Sequence, residues 1–268
     1  MVTGILKTEG GEIAYEEQGR GTPVICVPGM GDFRAEYRFL APQLSEAGMR
    51  AVSMDVRGHG GSSVGWADYT VAGVRRDIIA LIRCLDAGPA FLVGTSMAAG
   101  AAVYAAAEAP DLVRGLVLIG PAVRFEPTWQ TNLLFGALFA RPWGPAMWLA
   151  YFNTLYPTRK PADFKAYRAA LKANLSQPGR MEAPQKMVLA SKSASEKRLP
   201  QVKTPALVLM GAKDPDFKPP EAEAQWLAQS LGCRYEMIPG AGHYPHAEMP
   251  EIAGPKVAAF LSELMALR

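Results

Sequence analysis

The sequence predicts an α/β protein with a mostly parallel central sheet, helices on both faces and an insertion late in the chain. Three observations predict it. Short apolar runs alternate with stretches of helical spacing, and a covered parallel sheet is the economical way to pack such an alternation. Glycines stand where several of these runs end. Between 125 and 200 the rhythm breaks into aromatic helical segments and then a polar, lysine-rich stretch, which reads as an insertion. The expected organisation is a first core part at 1–124, an insertion with helical segments at 125–200 and a second core part at 201–268.

Residues 3–18 alternate around Gly10 and Gly11 as a hairpin does, and PVICV at 23–27 reads as a buried strand ending at Pro28 and Gly29. Phe39, Leu40, Leu44 and Ala47 recur on one helical face before Gly48, and RAVSMD at 50–55 is the next strand. Residues 71–86 carry a helical pattern, FLVGT at 91–95 is a buried strand, 97–108 a small-residue helix and LVRGLVLIG at 112–120 a further strand. The order resumes with PALVLMG at 205–211, a helix near 220–230, a strand from Cys233 to Ile238 and a last helix over about 250–266. No repeat of fixed period is visible.

Composition narrows the function classes. A chain of 268 residues with 49% hydrophobic and 20% charged residues builds a real core, which excludes wholesale disorder. Net charge is only +3 with basic residues scattered, so nucleic acid is not an expected partner. Cys26, Cys84 and Cys233 are far apart and read as core or groove thiols rather than a disulfide framework or a zinc knuckle. Three histidines are too few for a multi-histidine metal centre. The opening MVTGILKTEGGEIAYEEQG lacks the pattern of a signal peptide, so cytoplasmic residence is expected. The greasy run at 133–152 is interrupted by Arg141, Pro142, Gly144 and Pro145, which fits two short helices and a turn better than a stable membrane span.

Gly29 and Gly31 after a strand, with Asp55 ending the next one, imitate a dinucleotide fingerprint, but Arg34 at its third position obstructs close helix–strand packing. The same glycines leave backbone N–H groups free to face a ligand at a strand's carboxyl end.

GTSMA at 94–98 sets Ser96 between a buried strand and a helix, flanked two residues away by Gly94 and Ala98. A nucleophile elbow needs small flanks, because this tight, strained turn has no room for larger groups as it pushes the hydroxyl outward. Ala98 departs from the usual glycine and is tolerable only where the backbone needs no positive φ. A serine before a helix also serves as a plain N-cap, so its partners decide. A hydroxyl nucleophile needs a base, and the base needs an acceptor. His243, in GAGHYPHAEMPE at 240–251, and Asp214, after the strand ending at Gly211, both fall where strands end.

With VPGMGD at 27–32, MDVRGHGGSS at 54–63, GTSMA at 94–98, GAKDPD at 211–216 and GAGHYPHAEMPE at 240–251, the chain resembles the alpha/beta-hydrolase superfamily, on its branch with a helical cap. Ser96, Asp214, His243 reproduce that family's order of nucleophile, acid and histidine. The resemblance implies an oxyanion hole built from the backbone N–H groups of Met30 and Met97. Pro28 stands where many relatives have histidine, which removes a donor from that loop. It also implies that Arg57–Gly60 is supporting structure, so His59 is not the base. His246 reads as a residue steadying its loop, Asp216 as the rival acid, Asp32 as a loop or pocket-rim charge and Glu108 as a solvated helix residue. Fold-mates resembling haloalkane dehalogenases and epoxide hydrolases use an aspartate nucleophile, which Ser96 does not match.

The expected function is a serine hydrolase that cleaves a carboxylic ester of a small to medium apolar substrate through an acyl-enzyme, without cofactor or metal. Trp129, Phe135, Phe139, Trp143 and Trp148 are candidate cap residues for lining the substrate site, and they also serve the cap's own core. Self-association through the cap, or contact of its apolar helices with a lipid surface, stays open. So do lactone opening, carbon–carbon bond hydrolysis and cofactor-free peracid formation on the same triad, and a small-molecule receptor with vestigial hydrolysis.

Overall fold

A computed structural model describes residues 2–140 and 142–267. β1 (Val2–Thr8) and β2 (Gly11–Gly19) form the expected antiparallel hairpin. β3 (Pro23–Val27), β4 (Arg50–Met54), β5 (Ala90–Thr95), β6 (Val113–Ile119), β7 (Ala206–Gly211) and β8 (Arg234–Ile238) run parallel to one another. Together they make one eight-stranded sheet in the order β1-β2-β4-β3-β5-β6-β7-β8. The helices in chain order are α1 (Leu40–Glu46), α2 (Val71–Leu85), α3 (Met97–Glu108), α4 (Trp129–Leu138), α5 (Gly144–Thr154), α6 (Phe164–Leu175), α7 (Glu182–Leu189), α8 (Ser193–Glu196), α9 (Pro220–Leu231), α10 (Pro245–Glu248) and α11 (Pro250–Ala266).

Two apolar layers hold the sheet. Leu40 and Leu44 of α1 and Val257 and Leu261 of α11 cluster with Phe91, Val93 and Val117 on one face. Val74 and Ile78 of α2, Ala101 of α3 and Leu227 of α9 cluster with Leu92, Leu116 and Val208 on the other. Covered on both sides, β5 is buried at every position, which is why it reads as a continuous apolar run. Each such fully buried Leu, Val or Phe contributes about 1.5–3 kcal/mol. Cys26 lies in this core and Cys233 is half-buried, but Cys84 is exposed, off the face of α2 that carries Val74, Ile78 and Leu81.

Helices α4 to α8 lie between β6 and β7. The chain leaves and returns at a neck where Lys192 N donates to Phe125 O at 2.8 Å. Beyond that neck, α8 packs on α3. Phe139, Trp148, Phe152, Tyr156, Tyr167 and Leu171 belong to one apolar cluster rich in aromatic rings, which continues into Tyr244 and Phe33 from outside the insertion. The greasy run becomes α4 and α5 with a turn between them, Arg141 lying outside the described residues. Among the described residues, no helix is long and apolar enough to cross a membrane.

Candidate active site

The strand order reverses around β3, which pairs with β4 on one side and β5 on the other, and a crevice opens at the carboxyl ends of such strands. Val27 pairs with Gly94, so the loop after β3 and the turn after β5 leave the sheet side by side.

Ser96 has φ 56° and ψ −123°, a positive φ that only Asp86 shares among the described non-glycine residues. For a side chain with a Cβ this is strain of about 1–3 kcal/mol, held in place by the surroundings. Ser96 N donates to Ile119 O at 2.8 Å, and Ser96 O accepts from Ala99 N and Ala122 N. The side chain makes no capping bond to α3. A Cβ at Gly94 would lie 2.7 Å from Ala98 O, so that position has no room for one. Ala98 sits inside α3 without positive φ, which accommodates the departure from glycine.

His243 and Asp214 are buried at the same edge, and His243 Nδ1 lies 2.8 Å from Asp214 Oδ2. Gly120, which follows Ile119, ties this pair to the elbow: a Cβ there would fall 3.1 Å from His243 Nδ1 and 3.2 Å from Asp214 Oδ2. Asp216 takes the outer side, with Oδ2 at 3.6 Å from Nδ1 and its own N–H donating to Asp214 Oδ1. Burial lowers the His243 pKa, but the charge of Asp214, then that of Asp216, outweighs it and holds the imidazole at about 9. Ligand atoms of Asp214, Asp216 and His243 lie within 4.8 Å of one another, a spacing that could hold a cation. Each is already engaged, His243 by Asp214 and Asp216 by the Tyr151 hydroxyl, a set suited to moving a proton.

The loop after β3 is fixed from both ends. Gly29 N donates to Glu36 Oε2 at 2.9 Å, and Gly31 N donates to His59 Nε2 at 2.8 Å. With Nε2 accepting, the His59 proton sits on Nδ1, 3.0 Å from Arg57 O. Burial pushes the His59 pKa down to about 4, which keeps this neutral tautomer at neutral pH. Arg57 is in turn clamped by both oxygens of buried Asp77 on α2. The amides on either side of Met30 are thus committed, Met30 N lies between them in the chain, and a Cβ at Gly29 would lie 3.4 Å from Ser96 Cβ, which sets this loop beside the Ser96 turn. His246 Nε2 lies 3.0 Å from Glu36 Oε1, so the histidine loop touches the same anchor.

The insertion between β6 and β7 packs against this loop. A Cβ at Gly31 would collide with the Trp148 indole. Phe139 meets Trp148 edge-on and Phe135 stacks on Phe139. Trp129 and Trp143 are 72% and 52% exposed on the outside, so the structure does not bring these two to the site. Leu133, Leu134 and Met147 are exposed as well, and α4 buries no residue at all.

Asp32 is not a rim charge. It is 1% exposed, accepts from Phe33 N and from the Tyr167 hydroxyl of α6, and stands near the Arg38–Asp163 pair that also joins core to cap. Burial, then the charge of Glu36, raises its pKa to about 8. The unfolded chain releases this proton near 3.8, so stability falls as pH rises from there towards 8. Asp32→Asn keeps the acceptor for Tyr167 and cannot ionise. Its melting temperature relative to wild type is expected to climb by several degrees between about pH 5 and about pH 9 in stepped-pH calorimetry. A pH-independent difference means that Asp32 ionises normally in the fold.

Sequence reasoning missed Glu36 and Tyr151. A glutamate in RAEYRFL reads as a solvated helix charge, and a tyrosine in an aromatic cap helix as packing. Arg34, by contrast, already argued against a dinucleotide site, and in the fold it bonds Asp55 through both its N–H and its guanidinium.

The family model described as alpha/beta hydrolase fold matches residues 22–250. A putative non-heme bromoperoxidase, BpoC, of Mycobacterium tuberculosis is 26% identical over 284 aligned positions, covering 95% of this chain and 99% of that protein. Human monoglyceride lipase is 28% identical over 254, covering 87% of this chain and 79% of that protein. Among solved structures, a bromoperoxidase from Bacillus anthracis superposes with a TM-score of 0.85 at 20% identity, over 97% of this chain and 100% of that one. With a family match spanning most of its length, this chain belongs to the alpha/beta-hydrolase family.

Proposed function

We propose that the chain is a serine hydrolase that cleaves a carboxylic ester of a small to medium apolar substrate through an acyl-enzyme. The strained Ser96 turn, tied through Ile119 and Gly120 to the hydrogen-bonded His243–Asp214 pair, is the observation that carries this reading. Ser96 is the nucleophile, His243 the base, Asp214 the acid that orients it, and the Met30 and Met97 N–H groups the oxyanion donors. The substrate carbonyl oxygen turns toward those two amides. Neutral His243 takes the Ser96 proton as the oxygen attacks, and the tetrahedral oxyanion forms in the cradle. The imidazolium gives its proton to the leaving alcohol, and Asp214 stabilises that charge. Water, deprotonated by the same imidazole, then attacks the acyl-enzyme and releases the acid and Ser96.

Trp148 and Phe139, buried against the loop that carries Met30, are the cap residues best placed to meet the apolar part of the substrate and exclude water. The monoglyceride lipase relative supports an acyl ester as substrate. The bromoperoxidase relative favours a second reading, in which hydrogen peroxide instead of water attacks the same acyl-enzyme and leaves as a peracid. A panel of p-nitrophenyl esters, monoglycerides and lactones of graded chain length, with intact-mass detection and peptide mapping of the adduct, tests both. Ester turnover with an acyl mass on Ser96 is expected, and a persistent lack of adduct across the panel refutes the acyl-enzyme. Peracid formation on adding hydrogen peroxide, at rates above ester hydrolysis, favours the second reading.

A further inference from the structure

Helix α5 grips the site at two points. Leu155, at its end, accepts from His243 N at 3.0 Å. Tyr151, one turn earlier, donates its hydroxyl to the Asp216 carboxylate, 2.7 Å from each oxygen. The C-terminal end of α5 thus holds the histidine loop by a backbone carbonyl and the acid loop by a side chain. Trp148 braces Tyr151 edge-on, with ring centroids 5.4 Å apart, and itself rests on Gly31.

Asp216 is the second carboxylate on the imidazole. At 3.6 Å from Nδ1 its Oδ2 is poorly placed for a strong hydrogen bond, yet a unit charge at that distance acts strongly on a buried ring. The other groups facing His243 are Asp214 from the same loop, Glu36 from the turn beyond Gly31, the edge of Tyr244 and the ring of Phe217. Burial and the charge of Asp216 hold the Tyr151 pKa well above 10.0, so its hydroxyl remains a donor. A hydroxyl donated into Asp216 draws its negative charge away from the imidazole.

We infer that Tyr151 is a positioning residue: it holds Asp216 from the cap and thereby sets the basicity of His243, so that seating of the cap and strength of the base are coupled. With the cap seated, Asp216 is partly satisfied by Tyr151 and the imidazole releases its proton more readily. The inference rests on the reading of His243 as the base of a Ser96 hydrolase.

His243 can be titrated directly, because the chain has three histidines and substitutions at His59 and His246 assign the other two ring signals. NMR titration of the ring and the pH profile of kcat/KM for p-nitrophenyl butyrate are compared in wild type, Tyr151→Phe, Asp216→Asn and the double variant, each checked for an unchanged fold by circular dichroism. Tyr151→Phe is expected to raise the His243 midpoint and the acidic limb of the profile together, by about half a unit or more. Asp216→Asn lowers both, and adding Tyr151→Phe to it moves neither. An unchanged midpoint in Tyr151→Phe overturns the inference, as does an equal rise in the Asp216→Asn background. A midpoint that moves as expected while the Ser96-dependent rate does not follow supports the hold of Tyr151 on Asp216 and refutes the reading of His243 as the base.

Discussion

Ser96→Ala is expected to fold like the parent chain and to lose ester turnover by about four to six powers of ten, with no acyl mass in intact spectra. The fold is expected to hold because the hydroxyl makes no capping bond to α3. What keeps the turn is the backbone, through Ser96 N on Ile119 O and Ser96 O on Ala99 N and Ala122 N, and alanine retains all three bonds. Alanine meets the positive φ at the same steric cost as serine, since both carry a Cβ. The residual rate reports whatever the amides of Met30 and Met97 and the cap contribute without a nucleophile. Circular dichroism and a melting curve check the fold, and a burst assay with p-nitrophenyl acetate checks the chemistry. A burst of wild-type size would reject Ser96 as the nucleophile.

Asp214→Asn is expected to lower kcat by about four powers of ten, and Asp216→Asn by far less. The two carboxylates lie on the same imidazole but not equivalently. Asp214 is buried and hydrogen-bonded to Nδ1 at 2.8 Å, so an amide there leaves no anion for the imidazolium and favours the wrong tautomer. Asp216 is exposed, stands at 3.6 Å and is already shared with Tyr151. Its loss moves the proton affinity of His243 more than it disturbs its orientation. Steady-state kinetics of the two variants at a pH above 9, where the base is largely neutral in the wild type, separate these effects. A larger loss in Asp216→Asn would exchange the two roles.

Much of this was legible in the linear chain, for a physical reason. Strands such as PVICV and FLVGT are buried on both faces, and burial of that kind demands an unbroken apolar run that no distant residue can disguise. The elbow is equally local. Gly94, Ser96 and Ala98 are neighbours, and the crowding that excludes a Cβ at Gly94 comes from Ala98, four residues on. Pro28 illustrates the limit. Its lost donor put the loop's bonding in question, and the answer, Glu36 on Gly29 N and His59 on Gly31 N, depends on a carboxylate with no distinguishing spacing and on a ring that the resemblance marks only as part of a supporting loop. The cap was harder still. Trp148 and Trp143 are five residues apart and look alike in sequence, yet one is 1% and the other 52% exposed, because only the packing of α5 on the loop after β3 separates them.

The sequence by itself determined the order of strands and helices, the insertion between β6 and β7, and the three turns that bear Ser96, Asp214 and His243. These follow from apolar periodicity and turn chemistry, which act over a few residues. Only the tertiary structure decided that Glu36 anchors the loop of Met30, that Asp32 is buried under Tyr167, and that Tyr151 reaches Asp216 across 65 residues of chain. A polar side chain's partner is chosen by what the folded chain brings near it, and burial is what makes that choice energetically costly to leave unmade.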